Sequence, residues 1–419
     1  MARVNRLSVG AAILVGLALV VAAGCGGASP AGGATATGMA AGGAASAAPP
    51  DAGLVRRIVI FQTDFVNQAA QEALVKKFGG EGLLALPLVR GMAVLLPPTA
   101  EPALAAAPGV LRIDVDAEVH ALGSPAPSVR RATPGQPQQP AQVLPWGVNR
   151  IDAEYAWPAG YRGTGVKVAV VDTGIDKTHP DLAAHIAGGV NFVQKSTRKP
   201  PDPDDWNDDN GHGTHVAGII GAIDNDIGVV GVAPDCRLYA VKVLNAQGSG
   251  YVSWIISGLN WCVNNGVNVA NMSLGTTVDV PSLREACAAA AAAGVKLVAA
   301  AGNDGGAVNY PAAYDSVIAV AATDQTDARA SWSNYGPQIV VAAPGVNIYS
   351  TYKGGRYATL SGTSMAAPHV AGVLALNLSA NLAATADDLP PPGWDPFTGW
   401  GLVDAEEAAT GSQTGDDLP

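Results

Sequence analysis

Three residues of this sequence could together turn an alcohol into a nucleophile. Asp172 ends an apolar, strand-like run, His212 opens one predicted helix, and Ser364 lies in the first turn of another. A carboxylate orients an imidazole, and the imidazole then removes the proton of the hydroxyl group. Each of the three lies in a glycine-rich segment, which lets a ligand approach. The set predicts nucleophilic catalysis.

A fourth residue could stabilise the charge that develops in such a reaction. Asn303 follows an apolar strand in a glycine turn, and the first turn of the helix at Ser364 exposes backbone N–H groups. Taken alone, each residue has an ordinary explanation: Asp172 as a turn cap, His212 as a metal ligand or core histidine, Ser364 as an N-cap and Asn303 as a turn residue. Only the combination favours catalysis.

The rest of the chain must position these residues. Its 419 residues, 48% of them hydrophobic and 14% charged, suffice for a large core and a second, smaller domain. From residue 142 to about 410, apolar strands alternate with alanine-rich helices, which predicts an α/β fold with a doubly wound, mostly parallel sheet flanked by helices. Residues 54–122 predict a small α+β domain of βαββαβ type, with strands at 58–61, 83–89, 92–96 and 110–119 and helices at 64–78 and 101–107.

The regions outside the two domains are poor in core-forming residues. A Pro- and Gln-rich linker is expected at 123–141 and a disordered tail at 411–419.

The formal net charge of -11, without a Lys/Arg-rich run, argues against a nucleic-acid partner. We expect an acidic, exported monomer.

The first 24 residues predict an export signal. Two arginines precede an apolar run at 9–23, and Cys25 follows small residues. This resembles a bacterial lipoprotein signal, in which Cys25 would be lipidated and residues 25–53 would form a flexible tether. Position 22 carries Ala where such signals usually have Leu, so plain secretion stays open as the alternative.

Four long motifs, in chain order, carry a resemblance to a known family. They are the segments around the residues above: VAVVDTGID at 168–176, DDNGHGTHVAG at 208–218, LVAAAGNDG at 297–305 and LSGTSMAAPHVAG at 360–372. Residues 142–409 resemble the subtilisin family of serine proteases. The resemblance implies that Ser364 is the nucleophile, His212 the general base and Asp172 its orienting partner. It also implies an oxyanion hole made of Asn303 and the Ser364 N–H.

The same resemblance implies the substrate cleft. Protein or peptide substrates would bind as an added β-strand, and small residues in the cleft would favour a large apolar side chain before the cut. Asn309 at the pocket floor lies near a segment that is shorter than in many relatives. The implied substrate-binding residues are Gly248, Gly250, Ser273, Leu274, Gly275, Ala300, Gly302 and Asn309.

Residues 54–122 resemble the family's propeptide, which acts as an intramolecular chaperone and inhibitor. Self-cleavage in the family follows a large apolar residue, which implies cleavage after Leu122. Cleavage by another protease near Arg130 and Arg131 is the competing hypothesis.

A structural Ca²⁺ ion is also implied by matching positions, because oxygen ligands of this mix suit that cation. The implied ligands are Gln142, Asp181, Ile223, Asn225, Ile227 and Val229. A second acidic cluster, which could bind another ion or form a solvated loop, comprises Asp202, Asp204, Asp205, Asp208 and Asp209.

Two further features concern cysteines and the C-terminal region. If Cys25 is lipidated, three cysteines remain, so at most one disulfide forms among Cys236, Cys262 and Cys287. The helix that contains Ser364 is expected to run through Leu382, and the resemblance to the family implies that about ten residues are missing after it.

Other classes of function fit the motifs less well. An α/β-hydrolase esterase has its catalytic residues in the chain order Ser, acid, His. Its nucleophile motif also requires Gly at the position that Ala366 occupies here. A zinc site at His212 and His215 lacks the spacing and the Glu of zinc-protease helices. The alternative from a different class is a catalytically idle, surface-tethered binding module with the same fold.

Overall fold

The computed structural model describes residues 53–65, 67–123, 128–129, 139–195 and 199–411, with no side chains described at 128 and 129. The predicted signal peptide, Cys25, nearly all of the tether and the tail, and most of the linker lie outside these residues. Within the described ranges, each helix is too short or too polar to cross a lipid bilayer.

The N-terminal domain is a four-stranded antiparallel sheet with two helices on one face. The strand order is β2-β3-β1-β4. Side chains alternate along β1: Val59 and Phe61 pack under the helices, whereas Ile58 and Ile60 face Trp254 of the larger domain. The elements are β1 (Val55–Phe61), α1 (Gln68–Lys77), β2 (Glu81–Leu86), β3 (Gly91–Leu96), α2 (Glu101–Ala105) and β4 (Val110–Val115).

The element bounds in this domain differ from the sequence prediction at several places. Helix α1 begins at Gln68 rather than at residue 64, because the side chain of Asn67 caps it by accepting the N–H of Ala70. The strand predicted at 83–89 ends at Leu86, where Pro87 starts a short 3-10 helix. The strand predicted at 110–119 is divided, and its second part leaves the sheet as β5 (Glu118–Ala121).

The larger domain is built on a seven-stranded sheet in which each pair of neighbouring strands is parallel. The strand order is β15-β14-β13-β11-β7-β9-β8. The strands are β7 (Lys167–Asp172), β8 (Ile186–Asn191), β9 (Arg237–Lys242), β11 (Val269–Met272), β13 (Lys296–Ala300), β14 (Ile318–Thr323) and β15 (Ile339–Pro344).

Short strands and helices complete this domain. The short strands are β6 (Ser128–Val129), β10 (Ser249–Tyr251), β12 (Leu274–Gly275), β16 (Ile348–Tyr352) and β17 (Arg356–Leu360). The helices are α3 (Trp146–Arg150), α4 (Ala153–Ala156), α5 (His212–Gly221), α6 (Val252–Asn264), α7 (Pro281–Ala292), α8 (Thr363–Leu376) and α9 (Ala405–Thr410).

The central strand β7 explains why the sheet is covered on both faces and where a site forms. Val168 and Val170 belong to one apolar core cluster and Val171 to the other. The chain runs from β7 toward β8 and β9 on one side and later toward β11 on the other. Such a switch point opens a crevice at the carboxyl ends of the strands, and Asp172 is the last residue of β7.

The region after the Ser364 helix departs from the prediction. Helix α8 ends at Leu376, so the expected continuation to Leu382 is wrong. Asn377 takes an extended conformation, and its side-chain amide donates instead to the carbonyls of Ala408 and Ala409 in α9. This contact draws the last helix onto the end of α8.

Candidate active site

The end of β7 and the start of α5 bring Asp172 and His212 into contact. Nδ1 of His212 lies 2.8 Å from Oδ1 of Asp172, and both side chains are buried. The same Oδ1 accepts the N–H of Thr173 at 2.7 Å. Nδ1 therefore carries the proton, and Nε2, which has no hydrogen-bond partner among the described residues, is left to accept one.

Asp208 is a second buried carboxylate beside this pair, whereas the sequence analysis assigned it to an acidic cluster that would bind an ion or form a solvated loop. It accepts hydrogen bonds from Oγ1 of Thr173 at 2.9 Å, from the N–H of Gly211 at 2.8 Å, and from both the N–H and Oγ1 of Thr214. Burial raises the pKa of Asp208. Because Gly211 and Thr214 flank the start of α5, this carboxylate fixes the backbone that carries His212.

The two carboxylates set the protonation of the imidazole. Burial by itself lowers the pKa of His212, but the charge of Asp172, the hydrogen bond to it and the charge of Asp208 together raise that pKa above its usual value. The imidazole is thus suited to hold a proton transiently.

His215, one turn further along α5, places Nε2 3.1 Å from the carbonyls of Ile348 and Ala358, so it is a core residue rather than a zinc ligand.

Ser364 lies in the first turn of α8 and is held by reciprocal bonds with Ser273. Oγ of Ser364 donates to the carbonyl of Ser273 at 2.9 Å, and Oγ of Ser273 donates to the carbonyl of Ser364 at 2.8 Å. That second bond replaces a missing helical one, since Pro368, four residues later, has no N–H to donate. The hydroxyl of Ser364 points at Ser273 and must rotate before it can meet His212.

A backbone carbonyl of the chain itself lies between the two predicted oxyanion donors. The carbonyl oxygen of Leu122 is 2.6 Å from Nδ2 of Asn303 and 3.3 Å from the N–H of Ser364. The next residue, Gly123, lies against the imidazole: a Cβ added to it would be 3.0 Å from Nε2 of His212. The intact Leu122–Gly123 bond therefore lies where a scissile bond would have to be.

The amide of Asn303 is oriented by residues that sequence reasoning missed. Its Oδ1 accepts the N–H of Thr363 at 2.9 Å and Oγ1 of Thr363 at 2.8 Å, which leaves Nδ2 for the carbonyl. The turn that carries it is fixed by Asn334, whose Oδ1 accepts the N–H groups of Asp304 and Gly306. Of these two residues, only Thr363 belongs to a motif that the sequence analysis identified; Asn334 lies outside the four motifs.

The segment before Leu122 lies in the cleft as an added strand. Strand β5 is the middle strand of the sheet β10-β5-β12 and is antiparallel to both neighbours. Gly250 pairs with Val119, and the carbonyl of Gly248 accepts the N–H of Ala121 at 2.9 Å. On the other side, Leu274 pairs with Ala121 and Gly275 with His120, and the carbonyl of Ser273 accepts the N–H of Leu122 at 3.2 Å.

The side chain of Leu122 enters a pocket that glycines keep open. A Cβ on Gly275 would lie 2.9 Å from Cδ1 of Leu122 and 3.2 Å from Cβ of Asn309, and one on Gly302 would lie 2.8 Å from Nδ2 of Asn309. Ala300 is buried at the end of β13, one residue before Ala301, whose carbonyl accepts the N–H of Asn309. Of the predicted cleft residues, Gly275 thus lies against the Leu122 side chain and Gly302 against Asn309, whereas Gly248 and Gly250 line the backbone of β5.

The residues predicted to bind calcium also lie together, beyond the end of α5. Oε1 of Gln142 accepts the N–H of Asn225 at 2.6 Å, and Asp181 accepts Nδ2 of Asn225 at 3.0 Å and the N–H of Val229 at 2.9 Å. The N–H of Ile223 donates to the main-chain carbonyl of Asp181 at 3.1 Å. The N–H of Ile227 donates to Oδ1 of Asn225 at 2.7 Å.

This cluster has the donor chemistry that a hard cation prefers. Asp181 is buried without an ion-pair partner in the described part of the chain, and burial raises its pKa to about 6. The described residues contain no group of three or more His, Cys, Asp and Glu side chains that could hold a metal. The cluster instead combines the Asp181 carboxylate with the side-chain amide oxygens of Gln142 and Asn225, which are oxygen donors of the kind that Ca²⁺ prefers.

The three cysteines of the described domains are buried thiols. Cys236, Cys262 and Cys287 form no disulfide. Burial raises the pKa of Cys236 and of Cys262 to about 12. They are core residues with little thiolate character.

Comparison with known proteins agrees with this geometry. The model of the subtilase family matches residues 163–390. Subtilisin Savinase from Lederbergia lenta is 51% identical over 280 residues, which cover 64% of this chain and 99% of that protein. An alkaline protease from Alkalihalobacillus alcalophilus is 47% identical over 329 residues, covering 76% and 78%. The chain belongs to the subtilase family and is a subtilisin-like serine endopeptidase with an Asp-His-Ser triad.

Proposed function

We propose that the first substrate of this endopeptidase is its own propeptide, which is cleaved after Leu122. The observation that carries the proposal is the position of the Leu122 carbonyl oxygen, which lies between Nδ2 of Asn303 and the N–H of Ser364. The strand before it is paired on both edges, as an extended substrate would be.

In the proposed reaction, Ser364 is the nucleophile and His212 moves the protons. Oγ of Ser364 rotates from Ser273 toward His212, gives its proton to Nε2 and attacks the carbonyl carbon of Leu122. The oxyanion accepts hydrogen bonds from Asn303 and the N–H of Ser364. The imidazolium then protonates the nitrogen of Gly123 as that bond breaks, leaving an acyl-enzyme that water hydrolyses by the same route.

We infer a preference for large apolar residues before the cut. The Leu122 side chain packs against the apolar core beside Gly275, and the groups named around it are uncharged. A charged side chain there would lose its hydration without gaining a partner, which disfavours its binding.

After cleavage the propeptide is proposed to stay bound as an inhibitor. The Asp116 carboxylate, buried on the propeptide, pairs with Arg56 at 2.8 Å and accepts the N–H and Oγ–H of Ser253 at the start of α6. Asp114 accepts the N–H of Ser282 in the first turn of α7 at 3.0 Å. Two helix N-termini of the catalytic domain thus receive propeptide carboxylates, so product release must break buried, charge-assisted bonds.

We propose that Gln142, Asp181, Asn225 and the carbonyls of Ile223, Ile227 and Val229 hold a structural Ca²⁺ ion. Its support is the Asp181 carboxylate, which is buried without an ion-pair partner in the described part of the chain and lies beside the side-chain oxygens of Gln142 and Asn225. The ion would tie the residues before α3 to the loop after α5, far from the reacting atoms, and would stabilise the fold rather than take part in catalysis.

Export, with Cys25 as a lipid attachment site, is proposed from the sequence alone. Mass spectrometry of the envelope-associated protein would detect diacylglycerol on Cys25. A mature form that is found only in the medium would favour plain secretion.

The enzymatic roles are tested by a reagent for activated serine. A sulfonyl fluoride should modify the wild-type enzyme once, on the peptide that contains Ser364, and should not modify Ser364→Ala. Modification of a different residue, with hydrolysis of peptides unchanged, would refute the assignment of the nucleophile.

A further inference from the structure

The uncleaved chain occupies two separate places on the catalytic domain at once. Leu122 and Gly123 lie at the active site beside His212, which begins α5. Gln142 lies at Asn225, beyond the end of that helix. Because α5 has ten residues, roughly 15 Å of helix separates the two places.

The segment around Gln142 is docked by several main-chain bonds while the Leu122–Gly123 bond is intact. The N–H of Gly228 donates to the carbonyl of Pro140 at 2.7 Å, the N–H of Gln142 to Asp226 at 3.1 Å, and the N–H of Val143 to Gly228 at 2.9 Å. Residues 141 and 227 form a further bridge. The docking therefore does not depend on a new N-terminus.

The length of the chain between the two places permits both contacts. Residues 124–138 join them, and a peptide of about fifteen residues reaches at most roughly 50 Å when extended. Leu122 can remain in the cleft without pulling Pro140 and Gln142 away from the loop after α5.

We propose that the calcium-binding cluster is already complete in the uncleaved precursor, which binds Ca²⁺ as tightly as the mature enzyme does. This rests on the calcium site proposed above. Cleavage after Leu122 then changes the active site and leaves the metal site unaltered. The precursor gains the stability that Ca²⁺ supplies before it cleaves itself.

Calcium titration of two forms tests this. One is the full chain with Ser364→Ala, which stays uncleaved, and the other is the processed wild-type enzyme blocked with a sulfonyl fluoride. Each is titrated with Ca²⁺ by calorimetry, with and without Gln142→Ala. Gln325→Ala, at an exposed glutamine in another loop, is the matched control. We expect the two forms to have Kd values within about threefold, and Gln142→Ala to raise Kd about tenfold in both.

The outcomes separate this inference from the calcium site itself. If only the mature enzyme binds Ca²⁺, or if Gln142→Ala weakens binding in the mature form alone, the inference is refuted and the site stands. If neither form binds, both are refuted.

A deletion provides a second test that does not depend on Gln142. Removing residues 124–138 leaves Pro140 two residues after Gly123, a reach of about 7 Å, so the precursor could not fill both places. With Ser364→Ala, this deletion should weaken Ca²⁺ binding at least tenfold. Affinity equal to that of the full-length precursor would refute the inference. If the deletion variant does not fold, the Gln142→Ala titration decides.

Discussion

The carbonyl oxygen of Leu122 lies 2.6 Å from the side-chain nitrogen of Asn303. This contact joins the residue proposed to end the propeptide to the residue proposed to stabilise an oxyanion. The backbone of the chain is therefore polarised at the bond that the same chain is proposed to cut. The predictions below concern the donor, the substrate residue and the groups that position them.

Replacing Asn303 by Ala should lower kcat by about 10² to 10³ with little change in KM, because the lost hydrogen bond is strongest in the transition state. The magnitude is the one measured for the corresponding asparagine of a subtilisin. Steady-state hydrolysis of a peptide with Phe or Leu before the cut gives both constants. Asn265→Ala, at an exposed asparagine after α6, should leave both unchanged. A rise in KM with unaltered kcat would mean that Asn303 only binds substrate.

The residue before the cut can be changed within the chain. Leu122→Phe should process at a rate close to wild type, whereas Leu122→Asp should slow processing by about 100-fold or more, because an unpaired carboxylate must lose its water in the pocket. Precursor loss is followed by gel electrophoresis after refolding. Equal rates for the two variants would show that the pocket does not select this side chain.

Asp208→Asn should shift the pH dependence of kcat/KM. Only the neutral imidazole accepts a proton, so kcat/KM rises as the pH passes upward through the pKa of His212. The charges of Asp172 and Asp208 raise that pKa, and His215 is the other titratable group close to the ring. Removing the charge of Asp208 should lower the pKa and move the acid limb to lower pH.

The control for this change is Asp205→Asn, because Asp205 is a partly exposed carboxylate paired with Lys195. Its acid limb should coincide with that of the wild type. If the Asp208→Asn enzyme has lower activity but the acid side of its kcat/KM profile is not shifted, Asp208 acts only as a structural cap of α5.

Calcium should raise the melting temperature of the processed enzyme, and Asp181→Asn should abolish that rise. A ligand at about 100 times its Kd stabilises the folded state by about 2.7 kcal/mol, so the shift is several degrees. Differential scanning calorimetry of the inhibited enzyme in Ca²⁺ and in EGTA measures it. A calcium-dependent shift that persists in Asp181→Asn would place the ion elsewhere.

Asp116→Ala should speed release of the cleaved propeptide. It removes the acceptor for the N–H and Oγ–H of Ser253 across the interface, at a cost of about 1–3 kcal/mol, or at least fivefold in affinity. The readout is the lag between self-cleavage and peptide hydrolysis, which should shorten. Asp64→Ala, at an exposed carboxylate of the same domain, should keep the wild-type lag.

Local patterns in the sequence predicted the α/β fold, and the resemblance of four motifs to the subtilisin family predicted the contact of Asp172 with His212. Apolar strands with glycine-rich exits mark a parallel sheet, and the carboxyl ends of such strands converge. The pattern did not reveal that Asp208 is buried, since its partners come from β7 and α5 at once. Nor did it predict the role of Asn334, whose contacts with the turn after Asn303 bridge residues 30 positions apart.

The errors in element bounds have similar causes. Periodicity predicted helix at 64–78, but the cap at Asn67 depends on one side-chain hydrogen bond. The strand at 110–119 reads as continuous because its apolar alternation persists. It divides because Asp116 binds Ser253 of the other domain, a tertiary contact that no local pattern contains.

The most direct measurement of the central claim is the mass and N-terminal sequence of the chain expressed with and without Ser364→Ala. The wild type should separate into a propeptide that ends at Leu122 and an enzyme that begins at Gly123, and the variant should stay joined at that bond. A wild-type enzyme that is first cut after Arg131, or a Ser364→Ala chain that is cut after Leu122 equally fast, would contradict it.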